Sequence, residues 1–383
     1  MKKITIATDS FKGSLTSLEV AEAFSAGFRS VYEGCIVQKV TIADGGEGTI
    51  DALVHTLGGR YIETEVADPL MRPIKARYGL IEDSHTAIIE MSAASGLPLL
   101  TKSEQNPLKT TTYGTGELIA DALRRGAQHL IIGIGGSATN DAGVGMLRAL
   151  GFRFLDTAGN ELSGGGEILE KIASIDERSA MPELKKAEIK VACDVTNPLY
   201  GKMGAAYIFA PQKGANEAMV EILDNGLRHF AERVKAHNGI DIATMPGAGA
   251  AGGLGGGITA LLGAQLERGV DLILKAIDFD SLIEGSDLVV TGEGRIDSQT
   301  IMGKAPSGVL HAAQAHGIPT IAIGGAVVDC DELQQSDFTA IIPITDTPLP
   351  LNIAMQPDVA TANVYNTAVK IAQLIKNREL LSK

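Results

Sequence analysis

The sequence contains no tryptophan, and only seven tyrosines and nine phenylalanines occur among its 383 residues. The core must therefore be built mainly from aliphatic side chains and methionine. Hydrophobic residues still make up 45% of the chain and charged residues 21%, which is the composition of a globular protein and excludes general disorder. At this length we expect two domains.

Cysteine is also scarce. Cys35, Cys193 and Cys330 lie far apart in the sequence, and no C-x-x-C spacing occurs. This pattern excludes a disulfide framework and is typical of a reducing compartment. Lys2 and Lys3 are followed at once by a strand-like run, whereas a secretory signal would continue with a longer apolar segment. We therefore expect a cytoplasmic protein.

Positive charge is in deficit, because 33 lysines and arginines face 46 acidic residues for a formal net charge of −13. This balance argues against nucleic acid and anionic membrane surfaces as partners. The longest uncharged stretch, residues 247–264, is too rich in glycine to predict a membrane span. An anionic small molecule remains compatible, provided that cations and backbone N–H groups are gathered locally.

Several catalytic signatures are missing. No Walker A loop occurs, since Lys202 and Lys304 follow glycines but lack the rest of that motif. The protein-kinase signatures, the H-E-x-x-H zinc motif and the G-x-S-x-G nucleophile elbow are absent too. These absences argue against the P-loop and protein-kinase classes, against a structural zinc site and against a hydrolase.

What the chain does contain is a repeated strand–loop–helix pattern. Residues 4–7 predict a strand, residues 8–14 a polar loop, and Thr16 with Glu19 the capping box of a helix. The alternation continues along the chain and predicts an α/β fold with a mainly parallel sheet. In such sheets ligands bind outside the carboxyl ends of the strands. The turn at residues 68–73 and residues 286–287 are candidate points where the chain passes from one domain to the other. They predict a first domain of residues 1–68 plus 286–383, with residues 69–285 inserted as the second.

Two glycine loops are candidates for phosphate binding. Gly133–Asp141 follows a predicted strand and is expected to open a helix capped by Asn140, so its N–H groups favour a phosphate. The dinucleotide fingerprint is poor there, and a structural turn is the alternative. Residues 247–253 satisfy G-x-G-x-x-G without a preceding strand, so they either cradle a nucleotide or permit close packing.

Acidic residues suggest a metal site and a base. Asp44 and Glu47 lie on one glycine-rich loop, and Glu293 and Asp297 lie on another. Carboxylates on strand-end loops suit Mg²⁺, although such loops are also ordinary solvated turns. Asp194 follows an apolar strand, and a partly buried carboxylate there would accept a hydroxyl proton; a turn-capping role is the alternative.

Eight segments, taken together and in order, resemble conserved blocks of the type I glycerate kinase family, which includes bacterial glycerate 2-kinases. They are residues 9–15, 43–49, 115–118, 133–141, 192–199, 211–214, 246–253 and 291–297. The resemblance implies a flavodoxin-like α/β domain carrying a second, inserted α/β domain. It also implies transfer of the ATP γ-phosphate to D-glycerate, with 2-phosphoglycerate favoured over 3-phosphoglycerate, in organic acid catabolism.

Position and chemistry then give each candidate residue a role. The catalytic candidates are Asp194 as base, Asp297 as its alternative, Arg295 and Lys12. The candidates for substrate binding are Asp9, Ser10, Lys12, Arg295 and Asn197. The candidates for ATP binding are Gly135, Gly136, Ser137, Thr139, Asn140, Lys213, Gly249 and Gly252. The candidates for Mg²⁺ are Asp44, Glu47 and Glu293.

Three other functions stay open at this point. A kinase of another small hydroxy acid differs only in substrate, and a non-catalytic sugar-acid sensor would bind without ATP turnover. An oxidoreductase using a nicotinamide or flavin is disfavoured by the poor fingerprint. The sequence does not decide whether the protein forms a homodimer.

Overall fold

The computed structural model describes residues 1–43, 48–301, 303–328, 330–345, 349–378 and 380–381. Asp44 and Glu47, two of the predicted metal ligands, lie outside these residues. The chain divides into two compact units. The first comprises residues 1–44, 55–57 and 270–383, and the second comprises residues 45–54 and 58–269.

Strands and helices alternate along much of the chain. The strands are β1 (Lys3–Thr8), β2 (Ile36–Thr41), β3 (Arg60–Ala67), β4 (Pro73–Ile81), β5 (Thr86–Glu90), β6 (His129–Gly133), β7 (Arg153–Leu155), β8 (Ser174–Asp176), β9 (Glu188–Ala192), β10 (Gln265–Glu267), β11 (Leu288–Ile296), β12 (Thr320–Val327) and β13 (Ala340–Pro343). The α-helices are α1 (Ser17–Arg29), α2 (Thr49–Leu57), α3 (Ser92–Ser95), α4 (Tyr113–Arg124), α5 (Val144–Ala149), α6 (Ala205–Phe209), α7 (Glu217–Asn238), α8 (Leu254–Leu262), α9 (Gly269–Ala276), α10 (Phe279–Ile283), α11 (Ser298–Ile301), α12 (Ala305–Ala315), α13 (Asp331–Gln334), α14 (Leu351–Ala354) and α15 (Pro357–Lys376). Short 3₁₀ helices cover Leu97–Leu99, Gly166–Lys171, Pro182–Lys186 and Pro211–Lys213.

The first unit is built on a parallel sheet in the order β13-β12-β11-β1-β2. If the five strands are renumbered 1 to 5 by their order in the chain, the sheet reads 2-1-3-4-5 from β2 to β13. This is the flavodoxin-like doubly wound arrangement. The strand order reverses between β1 and β11, so the ligand crevice of such a sheet is expected where these two strands end. The predicted α/β fold is confirmed.

Helix α1 shows how local sequence and packing agree. Thr16 accepts a hydrogen bond from the N–H of Glu19, and Glu19 bonds back to the N–H of Thr16, so the predicted capping box is confirmed. Val20, Phe24 and Phe28 are fully buried on one face. Burial of each such side chain stabilises the fold by about 1.5–3 kcal/mol.

The second unit has a mixed sheet in the order β10-β9-β6-β5-β4-β3. Strands β5, β6, β9 and β10 are parallel, whereas β3–β4 and β4–β5 are antiparallel. The sequence predicted a mainly parallel arrangement and missed this antiparallel edge. Strand β3 alternates exposed and buried residues along much of its length, as expected of a strand with one solvated face.

The division into units differs from the boundaries expected from sequence. Residues 58–67 belong to the second unit because β3 pairs with β4 from Arg60 to Ala67. Residues 270–285 belong to the first unit, where Val270 packs against Gly308 of α12. The boundaries expected from sequence, after residue 68 and before residue 286, assign residues 58–67 to the first domain and residues 270–285 to the second.

In the described part of the chain, no helix has both the length and the apolar character needed to cross a membrane.

Gly27 provides a test of the packing between α1 and α15. A Cβ at this position would lie 2.3 Å from the carbonyl oxygen of Tyr365, so the two helices approach through the missing side chain. Gly27→Ala should lower the free energy of unfolding by roughly 1–3 kcal/mol, because this overlap outweighs the gain of about 1 kcal/mol in helix propensity. The shift in the urea midpoint, followed by circular dichroism, measures the effect.

Gly34→Ala is the matched control, since a Cβ there meets nothing within 4 Å. That substitution should change stability by less than about 0.5 kcal/mol. Equal midpoints for the two variants would contradict the close helix packing.

Candidate functional site

In the first unit, Asp9 lies at the point where the strand order reverses. It directly follows β1, is only 4% exposed, and donates its N–H to the carbonyl of Gly292 on β11 at 2.8 Å. Its Oδ1 accepts the N–H of Ser10 at 2.6 Å. Asp9 is therefore fixed at the carboxyl end of β1, beside β11.

The loop after Asp9 is closed on itself and leaves its lysine exposed. Phe11 and Leu15 exchange backbone hydrogen bonds of 2.8 and 3.0 Å, and Gly13 takes a left-handed conformation with φ of 76°. Lys12 is exposed. A Cβ on Gly294 would lie 3.4 Å from the nitrogen of Lys12, so this loop lies against the end of β11. The structure thus brings the Asp9–Lys12 segment next to the Glu293–Asp297 segment, as expected.

The three charged residues at the end of β11 have different surroundings. Glu293 is only 8% exposed and accepts hydrogen bonds from Thr300 Oγ1 at 2.6 Å and from Lys304 Nζ at 3.4 Å. Arg295 is 66% exposed, and its Nε donates to Asp297 Oδ2 at 3.1 Å. Glu293 is thus committed to contacts within the protein, whereas Arg295 presents its guanidinium to solvent.

The expected magnesium site is not assembled by the described residues. Among them, no group of three or more histidine, cysteine, aspartate or glutamate side chains is arranged to hold a metal ion. Glu293 already accepts a hydroxyl and an ammonium, which suits a fixed internal carboxylate better than a direct metal ligand.

In the second unit, the loop after β6 presents an exposed turn on a buried base. Gly135 and Gly136 are exposed, and Gly136 has a φ of 71°, which favours glycine. Leu97 donates its N–H to the carbonyl of Gly136 at 2.9 Å, and Ala138 donates to Ser95 at 2.9 Å. Within the described ranges, the N–H groups of Gly135 and Gly136 enter none of the backbone hydrogen bonds. The turn is therefore held by neighbouring residues, and its two N–H donors are not used in backbone hydrogen bonds of the described chain.

The helix that follows this loop begins later than the sequence predicted. Helix α5 starts at Val144, is six residues long, and has Gly143 at its N-cap with no side-chain bond. The expectation that Asn140 caps it is wrong, because Asn140 lies before Gly143 and is fully buried. The contribution of a helix dipole to phosphate binding, which entered the prediction, is not available from so short a helix.

Lys213 lies beneath this turn. It is 2% exposed, and its Nζ donates to Ser137 Oγ and to the carbonyl of Thr139, each at 2.7 Å. Burial lowers the pKa of Lys213 to about 7, although the carboxylate of Asp141 acts in the opposite direction. The structure brings together Lys213, Ser137 and Thr139, three of the residues that the sequence assigned to ATP binding.

Asp141 is a residue whose importance the sequence analysis missed. It is fully buried and accepts hydrogen bonds from the N–H groups of Thr112, Gly143 and Gly145 and from the hydroxyls of Thr111 and Thr112. Burial raises the pKa of Asp141, and these hydrogen bonds act against the rise. The only available signal was its place at the end of the predicted loop, because its partners come from a distant segment.

Two fully buried polar side chains follow Ser137 in this loop. Thr139 and Asn140 are both 0% exposed, and among the described residues neither Thr139 Oγ1 nor the amide atoms of Asn140 have a hydrogen-bond partner. Leaving such groups unpaired costs about 1–3 kcal/mol each, so a polar molecule that reached them would be bound favourably.

The second glycine motif is explained by packing. A Cβ on Gly249 would lie 2.3 Å from the carbonyl oxygen of Pro198, and a Cβ on Gly252 would lie 2.1 Å from that of Thr139. Both positions require glycine because another backbone passes directly against them. Of the two interpretations that the sequence left open, close packing is the one that these contacts favour.

Asp194 has an environment different from the one expected. The side chain is exposed, whereas the sequence argument relied on partial burial after an apolar strand. Its Oδ1 accepts the N–H of Gly269, at the beginning of α9, at 2.9 Å. Asn197 lies on the same loop, where its Nδ2 donates to the carbonyl of Met203 at 2.8 Å. The loop is anchored by both side chains, and Asp194 remains accessible to a ligand.

Comparison with known proteins gives one consistent result. Residues 4–376 match the sequence model of the glycerate kinase family. The chain is 48% identical over 375 residues to the glycerate kinase of Bacillus subtilis (strain 168), with 98% of each chain covered. It is 48% identical over 327 residues to the glycerate 2-kinase of Escherichia coli (strain K12), covering 85% of this chain and 86% of that protein.

A solved structure agrees with the sequence relatives. A crystal structure from Salmonella typhimurium LT2, described as a glycerate kinase 2, superposes with a TM-score of 0.91 at 45% identity, covering 99% of this chain and 100% of that one. The resemblance seen in the eight sequence segments is thereby confirmed, and the chain belongs to the glycerate kinase family.

Proposed function

We propose that this protein transfers the γ-phosphoryl group of ATP to D-glycerate and releases ADP, with 2-phosphoglycerate favoured over 3-phosphoglycerate. The observation that carries the proposal is the match to the glycerate kinase family over residues 4–376. The preference for the 2-phosphate is supported by the name of the Escherichia coli relative, glycerate 2-kinase. A cytoplasmic location belongs to the same proposal and is supported by three free cysteines.

The triphosphate is assigned to the turn at Gly135 and Gly136. Its support is the pair of exposed glycines, whose N–H groups enter no backbone hydrogen bond within the described chain. Successive N–H groups in a turn with a left-handed residue form a concave site for an anion. Ser137 and Thr139 follow this turn in the sequence, and both accept a hydrogen bond from Lys213.

The glycerate carboxylate is assigned to Lys12 and Arg295. Both are exposed cations, with Lys12 on the loop after β1 and Arg295 near the end of β11. In a protein of net charge −13, an anionic substrate needs such a local group of cations. Arg295 is suited to a carboxylate because its planar guanidinium donates two parallel hydrogen bonds, which lysine cannot do. Asp9 and Ser10 are assigned to the substrate hydroxyls.

A base must take the proton of the attacking hydroxyl. Asp194 is the first candidate because it is an exposed carboxylate on the loop after β9, and Asp297 is the alternative. As the new O–P bond forms and the bond to ADP breaks, the hydroxyl proton passes to this carboxylate. Lys12 and Arg295 would neutralise part of the charge spread over the transferring group.

Mg²⁺ is proposed as the partner of ATP, where it would neutralise phosphate charge. The described residues do not form a site that fits it, and Glu293 is held by Thr300 and Lys304. Asp44 and Glu47 remain proposed ligands outside the described residues.

The reaction itself is the first functional test. The purified protein should release ADP in the presence of Mg²⁺, ATP and D-glycerate, and should do so much more slowly with L-glycerate, D-lactate or tartrate. Phosphorus NMR of the product should show phosphate on carbon 2. Faster turnover of another hydroxy acid would replace glycerate as the substrate, and glycerate binding without ADP release would indicate a sensor.

The assignment of the base predicts a specific loss. Asp194→Asn should lower kcat by about 10²–10⁴-fold with little change in the KM for ATP, because general-base catalysis contributes about that much. Steady-state kinetics at several pH values provide the measurement. Asp241→Asn is the control, since Asp241 is an exposed carboxylate paired with Lys235 and has no role in the proposal.

Near-normal turnover by Asp194→Asn would remove Asp194 from the role of base. The same measurement on Asp297→Asn then tests the alternative.

A further inference from the structure

We infer that Lys213 and Asp141 form a buried clasp that positions the exposed Gly135–Gly136 turn for an anionic ligand without touching that ligand. The inference rests on the proposed function in taking this ligand to be the triphosphate of ATP. Four observations on the second unit carry the inference. The backbone that carries Lys213 is rigid, and the loop is anchored at two separate points. The turn is accessible between these fixed ends, and Lys213 is too buried to reach the ligand.

The backbone segment that carries Lys213 is rigid. Lys213 ends the 3₁₀ helix that begins at Pro211, and its N–H bonds to the carbonyl of Ala210 at 3.0 Å. Gly214 follows with φ of 96°, and a Cβ there would lie 2.3 Å from the carbonyl oxygen of Gln105. The backbone around Lys213 is therefore confined on both sides, so its side chain enters the interior from a defined position.

The lysine and the aspartate hold different parts of the loop. Lys213 binds Ser137 and Thr139, just after the turn, at 2.7 Å each. Asp141 binds Gly143 and Gly145 and joins this end of the loop to Thr112, at the start of α4. Together with the bond from Leu97 to Gly136, these contacts leave the turn little freedom to move away from its position.

Lys213 acts on the ligand through the loop because its own side chain is too buried to contact the ligand. Its side chain is 2% exposed, while Gly135 and Gly136 are exposed. Two of the three ammonium donors are already used on the loop. A phosphate at the outer side of the turn would meet backbone N–H groups, and the ammonium would act on it only as a nearby charge.

The state of charge of Lys213 gives the inference a pH signature. Asp141 is the charged side chain that acts on Lys213, and burial lowers the pKa of Lys213 to about 7. An anion on the turn favours the protonated lysine and raises that pKa, so binding and protonation are linked. It follows that anion affinity should be highest below about pH 7 and should fall as pH rises above it.

The experiment measures binding of ATP with Mg²⁺ to the full chain, without glycerate, by calorimetry between pH 6.5 and pH 9. For the wild type we expect the Kd to rise by about tenfold across this range, according to the linkage between binding and protonation. Lys213→Met should weaken binding by about ten- to a hundredfold at pH 6.5 and abolish the pH dependence. Lys185→Met is the matched control, because Lys185 is an exposed lysine of the same unit.

Asp141→Asn tests the second half of the clasp. Because Asp141 raises the pKa of Lys213, its removal should keep the pH dependence but move it to lower pH, while also weakening ATP binding. An unchanged midpoint and Kd would remove Asp141 from the inference. A purely structural role for Lys213 predicts a lower Tm for Lys213→Met with unaltered Kd and pH dependence in the folded protein, and that result would overturn the inference.

The wild type provides a test that does not depend on how the variants fold. At pH 8, where ATP is fully ionised, its binding should take up a fraction of a proton, measured by calorimetry in two buffers of different ionisation enthalpy. No uptake would overturn the inference. ATP binding with this uptake but without glycerate phosphorylation would reject the proposed function alone, whereas phosphorylation with pH-independent ATP binding would reject the clasp alone.

Discussion

The pairing of β1 with β11 is the constraint on which the first unit depends. In this parallel register Thr8, the last residue of β1, lies beside Gly292, so the loop after β1 follows the last residues of β11, which runs on to Ile296. The helices that follow leave the carboxyl ends of the strands open there, as at other reversal points of doubly wound sheets. Without this register, Asp9 and Arg295 would not be held on neighbouring strands, and the proposed binding of glycerate would have no physical basis.

Glycine serves two different purposes in this protein, and only the structure separates them. Gly135 and Gly136 are exposed and leave room for a ligand, whereas Gly249 and Gly252 lie against carbonyl oxygens, 2.3 and 2.1 Å from where a Cβ would be. Both groups occur in loops that look alike in the sequence. Much of the high glycine content therefore reflects close contact between backbone segments.

The sequence predicted what is decided locally. The capping box at Thr16 and the alternation of strands and helices depend on residues within a few positions of one another. It could not predict the exposure of Asp194 or the burial of Asp141, because each depends on segments far away in the chain. The antiparallel edge at β3 was missed for the same reason.

The interior of the second unit is more polar than stability alone would favour. A buried lysine, a buried aspartate and the amide of Asn140, which has no partner among the described residues, each carry a desolvation cost that apolar side chains of similar volume would avoid. Locally unfavourable choices of this kind are expected at functional sites, where geometry matters more than stability. Here the desolvation cost falls on residues next to one exposed turn. The unfavourable burial of polar groups and the proposed phosphate site therefore lie at the same place in the fold. That coincidence is the strongest physical reason for proposing that the loop after β6 is the ligand-binding loop of this unit.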